Sequence, residues 1–201
     1  MADFIIKPTA GTGSKLILKD QAANIIYQSA DTTSAATFNP PVGHILGCAC
    51  LVRVNNGADG GSSLTNTLRN LDTVLYEVGF GVTIASNEWT FDDAGSYLIH
   101  ANVPAYNSTR HISTIYADTG STLVATGTSE YSNNGEATQT RGFIHTKVVV
   151  TEAQKTSGGS EKSFGIYTEV TTAVGGNGLG VDADDSTVEQ FTQVQIFKIQ
   201  E

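Results

Sequence analysis

Four histidines are the side chains of this chain best suited to acid–base chemistry at neutral pH. They are His44, His100, His111 and His145, each on a different strand-like run. His100 and His111 flank a turn and can come together with Arg110. A nucleophilic site also needs a serine, a base and an orienting acid in one geometry, and the chain has no Gly-x-Ser-x-Gly motif. We therefore predict that the protein is not an enzyme.

A glycine-rich run, Gly176–Gly180, is followed by a cluster of aspartates at Asp182, Asp184 and Asp185. Phosphate-binding loops aim backbone N–H groups and a helix N-terminus at the phosphate. Here no helical pattern follows, and the carboxylates would repel phosphate. The cluster lacks the glycine and glutamate spacing of an EF-hand. We predict a solvated acidic loop and no cofactor, with an irregular calcium site at the three aspartates as the alternative.

The charge balance excludes several classes of partner. Eleven Lys and Arg against twenty Asp and Glu give a net charge of −9, without the basic cluster that phosphate backbones and anionic lipids require. We therefore predict binding to neither nucleic acid nor membrane. Cys48 and Cys50 are expected to be small buried apolar residues and not a disulfide, because side chains at i and i+2 on a strand stand parallel. The N-terminal segment lacks the pattern of a secretory signal.

The elements that would position these residues are strands. Threonine occurs 26 times, with 16 valines and 14 isoleucines, and branched side chains favour a pleated surface over a helix. From residue 44 onward, apolar runs alternate with turn clusters, as in a sandwich or barrel. The predicted strands are His44–Asn55, Thr67–Val78, Glu88–Phe91, Ser96–Val103, Arg110–Ala117, Thr122–Tyr131, Thr140–Thr151, Ser163–Val170 and Val188–Ile199.

The first 43 residues differ from the rest in composition. Residues 1–30 contain short apolar runs that predict a two-stranded β arm, which is marginal alone and needs a partner surface. Residues 31–43 are rich in Ser, Thr and Ala and end in a double proline, a pattern typical of a linker. We therefore divide the chain into an arm (1–30), a linker (31–43) and one β domain (44–201).

Two of the predicted strands are apolar on both faces. In the first strand of the domain, Leu46, Cys48, Cys50 and Val52 alternate with Ile45, Ala49 and Leu51. In the last strand, Val194 and Ile196 alternate with Phe191 and Phe197. A sandwich needs only one core-facing side per strand. The surplus apolar faces indicate association with copies of the same chain.

The segment Arg69–Val103, RNLDTVLYEVGFGVTIASNEWTFDDAGSYLIHANV, resembles the core signature of the C1q/TNF-like jelly roll. The shared features are an N-T-V-L-Y-like strand, the aromatic pair Trp89 and Phe91, and a Gly-x-Tyr start (Gly95, Tyr97) of a long strand. The closing VEQFTQVQIFKI is similar to the terminal strand of that family. The resemblance implies an all-β, antiparallel jelly-roll sandwich that forms a compact homotrimer around a three-fold axis. Some C1q-like trimers bind calcium near the apex.

A narrower resemblance is to the C1q-like domains of tailed-bacteriophage virion proteins. It rests on ANVPAYNSTRHISTIYADTGSTLVATGTSEY (Ala101–Tyr131) and the following TQTRGFI, together with the N-terminal FIIKPTAG and KLILKDQAANIIYQSAD. It implies a structural virion protein, made in the host cytoplasm, that serves as a head fibre or capsid decoration. Its arm would dock on a capsid or tail protein. A receptor- or glycan-binding tail-fibre tip used in host attachment is the alternative.

Three sets of residues follow as predictions. The arm is expected to anchor the protein to the virion through its apolar side chains, which are Phe4, Ile5, Ile6, Leu16, Leu18, Ile25 and Tyr27. The trimer interface is expected to use the surplus apolar and aromatic positions Ile45, Leu51, Leu98, His100, Phe191 and Phe197. A host receptor or surface glycan would meet Tyr106 and Tyr131, which we expect in outer loops.

Overall fold

A computed structural model of the chain describes residues 17–19, 25–28, 37–38, 44–56, 58–132, 137–184 and 187–201. Throughout these ranges the backbone forms strands and turns only. The strands are β1 (Ile17–Lys19), β2 (Ile25–Gln28), β3 (Thr37–Phe38), β4 (Ile45–Asn56), β5 (Thr67–Leu68), β6 (Thr73–Val78), β7 (Val82–Ala85), β8 (Glu88–Phe91), β9 (Gly95–Tyr106), β10 (Thr109–Ala117), β11 (Thr122–Ser132), β12 (Gln139–Val150), β13 (Phe164–Val170) and β14 (Val188–Ile199). None of the described residues belongs to a helix long and apolar enough to cross a membrane.

The chain divides into two compact units, one of Met1–His44 with Gln200–Glu201 and one of Ile45–Ile199. In the first unit β1, β2 and β3 pair in that order as a small antiparallel sheet. Its third strand, Thr37–Phe38, lies inside the segment predicted as a linker and pairs with Tyr27–Gln28. The arm is therefore three-stranded in the described residues, one strand more than the sequence predicts.

The second unit consists of two antiparallel sheets. Sheet I has the strand order β12-β9-β14-β4-β6, and sheet II has the order β11-β10-β13-β8-β7, with β5 added beside β13. The pairing is nested: β4 pairs with β14, β8 with β13, β9 with β12, and β10 with β11. A long hairpin folded over itself gives this first-with-last order, which defines a jelly roll. The predicted antiparallel jelly-roll sandwich is confirmed.

The core lies between the two sheets and is rich in aromatic rings. The Phe91 and Tyr97 rings stack with centroids 4.0 Å apart, and Phe164 meets Phe91 edge to face at 5.6 Å. The Tyr97 hydroxyl donates to the Asp93 carbonyl at 2.7 Å, so its polar end has a partner. Trp89, Phe91 and Tyr97, the residues that carry the family resemblance, are therefore the centre of the packing.

Strand boundaries follow the sequence pattern except at two places. The run Thr67–Val78 is interrupted between β5 and β6, where Arg69 turns into the protein interior. Strand β7, which the sequence analysis missed, forms a hairpin with β8 through a two-residue turn at Ser86 and Asn87. Both turn residues have positive φ, 52° and 69°, as a type I′ turn requires.

Candidate functional site

The outer face of sheet I is the first candidate surface. Along β9, Tyr97, Ile99 and Ala101 are buried in the core, whereas Leu98 and His100 are only partly covered. This is the alternation of a strand with one core face and one outer face. Residues paired directly across neighbouring strands lie on the same side of a sheet. The partners of Leu98 and His100 on β12 and β14 therefore also lie on the outer side of sheet I. We call this surface the sheet I face.

A row of rings crosses the sheet I face on three adjacent strands. His145 on β12 lies directly opposite His100 on β9, and the two imidazole centroids are 4.6 Å apart. Phe197 on β14 meets His100 at 5.7 Å. A shallow depression of about 260 Å³ beside the row is lined in part by Phe143 and Gln195. Aromatic rings bury large areas and rank among the strongest contributors to protein interfaces.

Exposed apolar side chains concentrate on this sheet. Most of the large hydrophobic side chains exposed in the described residues lie on strands of sheet I: Ile45, Leu46, Leu75, Tyr76, Val78, Phe143, Val149 and Val188. Sheet II carries Leu123 and Tyr131, and a loop carries Leu64. Single exposed apolar residues are ordinary, and neighbours such as Leu75 and Tyr76 point to opposite sides of their strand. On β12, however, Phe143 and Val149 lie on the same side of the strand and add apolar area to the sheet I face.

The structure corrects two of the predicted interface residues. Leu51 is fully buried and pairs with Val194, because it belongs with Ala49 to the core cluster between the sheets. Phe191 is 4% exposed. A bulge between Gln190 and Gln193 interrupts the alternation of β14. Neither Leu51 nor Phe191 is available to another chain.

The remaining interface predictions fall on accessible positions. Leu98, His100 and Phe197 are partly exposed on the sheet I face, and Ile45 is 56% exposed at the start of β4. Their participation in an interface stays a prediction. His100 and His111, expected near each other beside Arg110, lie on different sheets. Of the described serines, none is hydrogen-bonded to a histidine.

The second candidate surface is a cleft of about 390 Å³ on sheet II, at the ends of β10, β11 and β13. Tyr131, one of the predicted receptor-binding residues, forms part of it and is 58% exposed. Arg110 lies opposite Tyr131, and Glu169 lies opposite Ile112. The cleft, which we call the sheet II cleft, is lined by Thr65, Arg110, His111, Ile112, Ser129, Glu130, Tyr131, Glu169, Val170 and Thr171.

The charged groups of the sheet II cleft have free hydrogen-bonding capacity. Among the described residues, the side chains of Arg110, Glu130 and Glu169 have no hydrogen-bond partner and no ion-pair partner within the chain. Tyr106, the other predicted receptor-binding residue, is partly buried at the end of β9 and does not line the cleft. Both tyrosines lie at strand ends and not in outer loops.

A buried histidine lies beside the sheet II cleft, on the core-facing side of β10. His111 is 2% exposed, and its Nε2 lies 2.8 Å from the Thr140 hydroxyl, whereas its Nδ1 has no partner among the described residues. Burial lowers the pKa of His111, and the nearby Arg69 cation lowers it further, against an opposing effect of Glu130. The imidazole is therefore held in its neutral form.

Arg69 is the buried cation that the sequence analysis did not single out. Its backbone N–H donates to Ile166 of sheet II at 2.7 Å. Its guanidinium donates to the Pro104 carbonyl at 2.6 Å and to Thr192 at 3.0 Å, both on sheet I, and to the Leu179 carbonyl at 2.8 Å. Burial lowers the pKa of Arg69 to about 9, so it is charged at neutral pH. Arg69 thus ties the two sheets together.

The acidic loop holds its carboxylates through backbone groups. The Asp182 N–H donates to Asp59 Oδ1 at 3.0 Å, and the Ala183 N–H donates to Glu189 Oε1 at 2.6 Å. Desolvation raises the pKa of Asp182, as do the neighbouring Asp59 and Glu189. Within the described residues no three metal-ligating side chains are grouped to hold an ion. Asp185 lies outside them, so the calcium alternative stays a prediction.

The structure describes only part of the predicted virion anchor. Leu18 lies on β1, and Ile25 and Tyr27 lie on β2. The other predicted anchor residues, Phe4, Ile5, Ile6 and Leu16, lie outside the described residues. The anchor role therefore stays a prediction.

Comparison with known proteins finds structural neighbours but no sequence family. No family model matches the chain, and no curated protein sequence matches it. Among solved structures, murine APRIL at pH 5.0 is 10% identical with a TM-score of 0.47, over 76% of this chain and 98% of that chain. PRD1 vertex protein P5 is 15% identical with a TM-score of 0.47, over 79% of this chain and 100% of that chain. The jelly-roll assignment itself stands on the strand order of this chain.

Proposed function

We propose that this protein is a homotrimeric structural protein of a tailed-phage virion, a head fibre or capsid decoration attached through its N-terminal arm. The observation that carries the self-association is the sheet I face, with its row of His100, His145 and Phe197 rings. A second copy of the chain would remove these rings from water.

The geometry favours a closed assembly of copies. The sheet I face carries the ring row, together with polar side chains such as Lys147 and Gln195, and most of the exposed large hydrophobic residues lie on sheet I strands. Each chain therefore offers one ring-rich surface on one side. Homo-oligomers with closed symmetry satisfy such a surface on every copy and leave no open end. The three-fold arrangement is the one that the C1q/TNF-like resemblance implies, with Ile45, Leu98, His100 and Phe197 in the interface.

The virion assignment has a separate basis. It rests on the sequence resemblance of Ala101–Ile144 and of the N-terminal segment to phage virion proteins. The arm supports it, because β1 to β3 belong to a compact unit distinct from Ile45–Ile199. A small sheet of this size gains stability when its apolar side chains dock on another protein, and we assign that partner as a capsid or tail protein.

Deleting residues 2–30 tests the attachment. The shortened protein should keep the circular dichroism spectrum and the trimeric mass of the jelly roll, because the sheets lie in the separate unit Ile45–Ile199. It should no longer bind to particles that lack the native protein. A shortened protein that still decorates the particles would show that the anchor lies elsewhere.

A second candidate function is favoured by the sheet II cleft. A receptor-binding module at the tip of a fibre needs an exposed concave site, and Tyr131 contributes its ring to one. The partner would be a host surface glycan. A trimeric virion protein can carry such a site on each chain, so the two functions are compatible.

A further inference from the structure

We propose that the sheet II cleft binds an uncharged saccharide through Tyr131, Arg110 and Glu169. This inference deepens the second candidate function. It depends on the cleft of a single chain and not on self-association. The cleft has a volume of about 390 Å³, within the range of small-molecule sites in proteins.

The apolar component of the site is the Tyr131 ring. It is 58% exposed at the end of β11, on an extended strand whose backbone pairs with β10 on one side. A tyrosine presents a rigid flat surface at a low entropic cost, because only two side-chain torsions must be fixed. The C–H groups on one face of a pyranose ring pack on such a surface.

The polar component is a set of donors and acceptors without internal partners. Arg110 offers planar donors directly beside Tyr131. Glu169 offers acceptors, and Ser129 and Thr171 add hydroxyls that can do either. Among the described residues the side chains of Arg110 and Glu169 have no hydrogen-bond or ion-pair partner. They are therefore free for a ligand whose groups both donate and accept, as sugar hydroxyls do.

The charge of the lining disfavours other classes of ligand. Glu169 shares the outer face of sheet II with Arg110, so this face has no net positive charge to attract a phosphate or another anion. An apolar ligand would desolvate Arg110 and Glu169 without replacing their hydrogen bonds to water, which is costly. A metal ion would be opposed by the guanidinium. A neutral polyhydroxylated ring satisfies all of these groups at once.

The test uses the full-length protein on an array of neutral and acidic oligosaccharides, followed by calorimetry with the best neutral ligand. We expect binding to a set of neutral glycans. Tyr131→Ala should weaken it roughly tenfold or more through loss of the ring contact, and Glu169→Gln should weaken it by a smaller factor. Leu123→Ala is the matched control, because Leu123 is 54% exposed on the same strand but outside the cleft.

Three results would overturn the proposal: no neutral glycan bound, binding of acidic glycans only, or binding that survives Tyr131→Ala. The molar mass of each sample is measured in the same buffer. A trimer that binds no neutral saccharide refutes the site but leaves the structural role intact. A monomer that binds one refutes the trimer but leaves the site intact.

Discussion

The two sheets of the sandwich are built by the same alternation but present different outer faces. Sheet I carries Phe143, His145 and Phe197 outward, whereas sheet II carries Arg110, Tyr116 and Glu169 outward. Both sheets contribute residues to the core. The difference between their outer faces is the basis of our proposal that a second copy of the chain covers sheet I while sheet II remains in water.

The first test concerns Arg69, the residue that connects the two sheets. Arg69→Ala should have the largest effect, a loss of about 3 kcal/mol or more in the free energy of unfolding. It removes the guanidinium that donates to the Pro104 and Leu179 carbonyls and to the Thr192 hydroxyl, and it leaves a cavity between the sheets. Urea unfolding followed by circular dichroism measures the loss.

Arg69→Lys serves as the matched variant for Arg69→Ala. It keeps the charge but cannot reach all three acceptors, so we expect an intermediate loss. An alanine variant as stable as the wild type would mean that Arg69 does not hold the sheets together.

Substituting Gly79, in the connection from sheet I to sheet II, should give the next largest effect. Gly79 follows β6 with φ of +81°, and a Cβ there would lie 2.4 Å from the Leu46 carbonyl oxygen of β4. Gly79→Ala should therefore cost about 1–3 kcal/mol in the free energy of unfolding. The melting temperature measures this directly.

Gly175→Ala provides the control for Gly79. A Cβ at Gly175 meets no atom within 4 Å, so this variant should be as stable as the wild type or slightly more so. Equal melting temperatures for both alanine variants would contradict the close approach at Gly79.

The histidines allow a finer test, because His111 is buried behind sheet II whereas His100 is partly exposed on sheet I. The pKa of folded His111 lies below its ordinary value of 6.5, so between the two pKa values the unfolded chain binds more protons. The free energy of unfolding should therefore fall as the pH drops below about 6.5. We expect this to be the smallest of the three effects.

His111→Gln should flatten that pH dependence, as measured by urea unfolding at pH 7.5, 6.0 and 5.0. His44→Gln is the control, since His44 is exposed. If the free energy of unfolding of His111→Gln falls with pH as steeply as that of the wild type, other groups cause the pH dependence.

Much of the fold could be predicted from the sequence, because long strands such as β9 and β12 have period-two alternation and the aromatic residues of Arg69–Val103 mark the core. Strand β7 could not, since it is four residues long and its turn is Ser-Asn in place of the usual Asn-Gly. The face of β4 was ambiguous because both of its sides are apolar. The bulge in β14 that buries Phe191 leaves no sign in the sequence.

The candidate sites were predictable only in part. Tyr131 and Phe197 can be identified from the sequence as aromatic residues on strands in which apolar and polar residues alternate. Arg69 and Glu169 are not, because their roles depend on partners far away in the chain, such as Thr192 for Arg69 and the β10–β13 pairing for Glu169. Long-range pairing brings the charged groups of the sheet II cleft together, and no local pattern encodes it.

The most direct test of trimer formation is the molar mass of the full-length protein, measured by light scattering over a range of dilutions. We expect about 63 kDa, three chains of 21.1 kDa. Phe143→Glu on the sheet I face should lower the mass toward one chain, while Leu123→Glu on sheet II should leave it unchanged. A wild-type mass of one chain at every concentration would contradict the proposed trimer, as would a trimer that Leu123→Glu separates and Phe143→Glu does not.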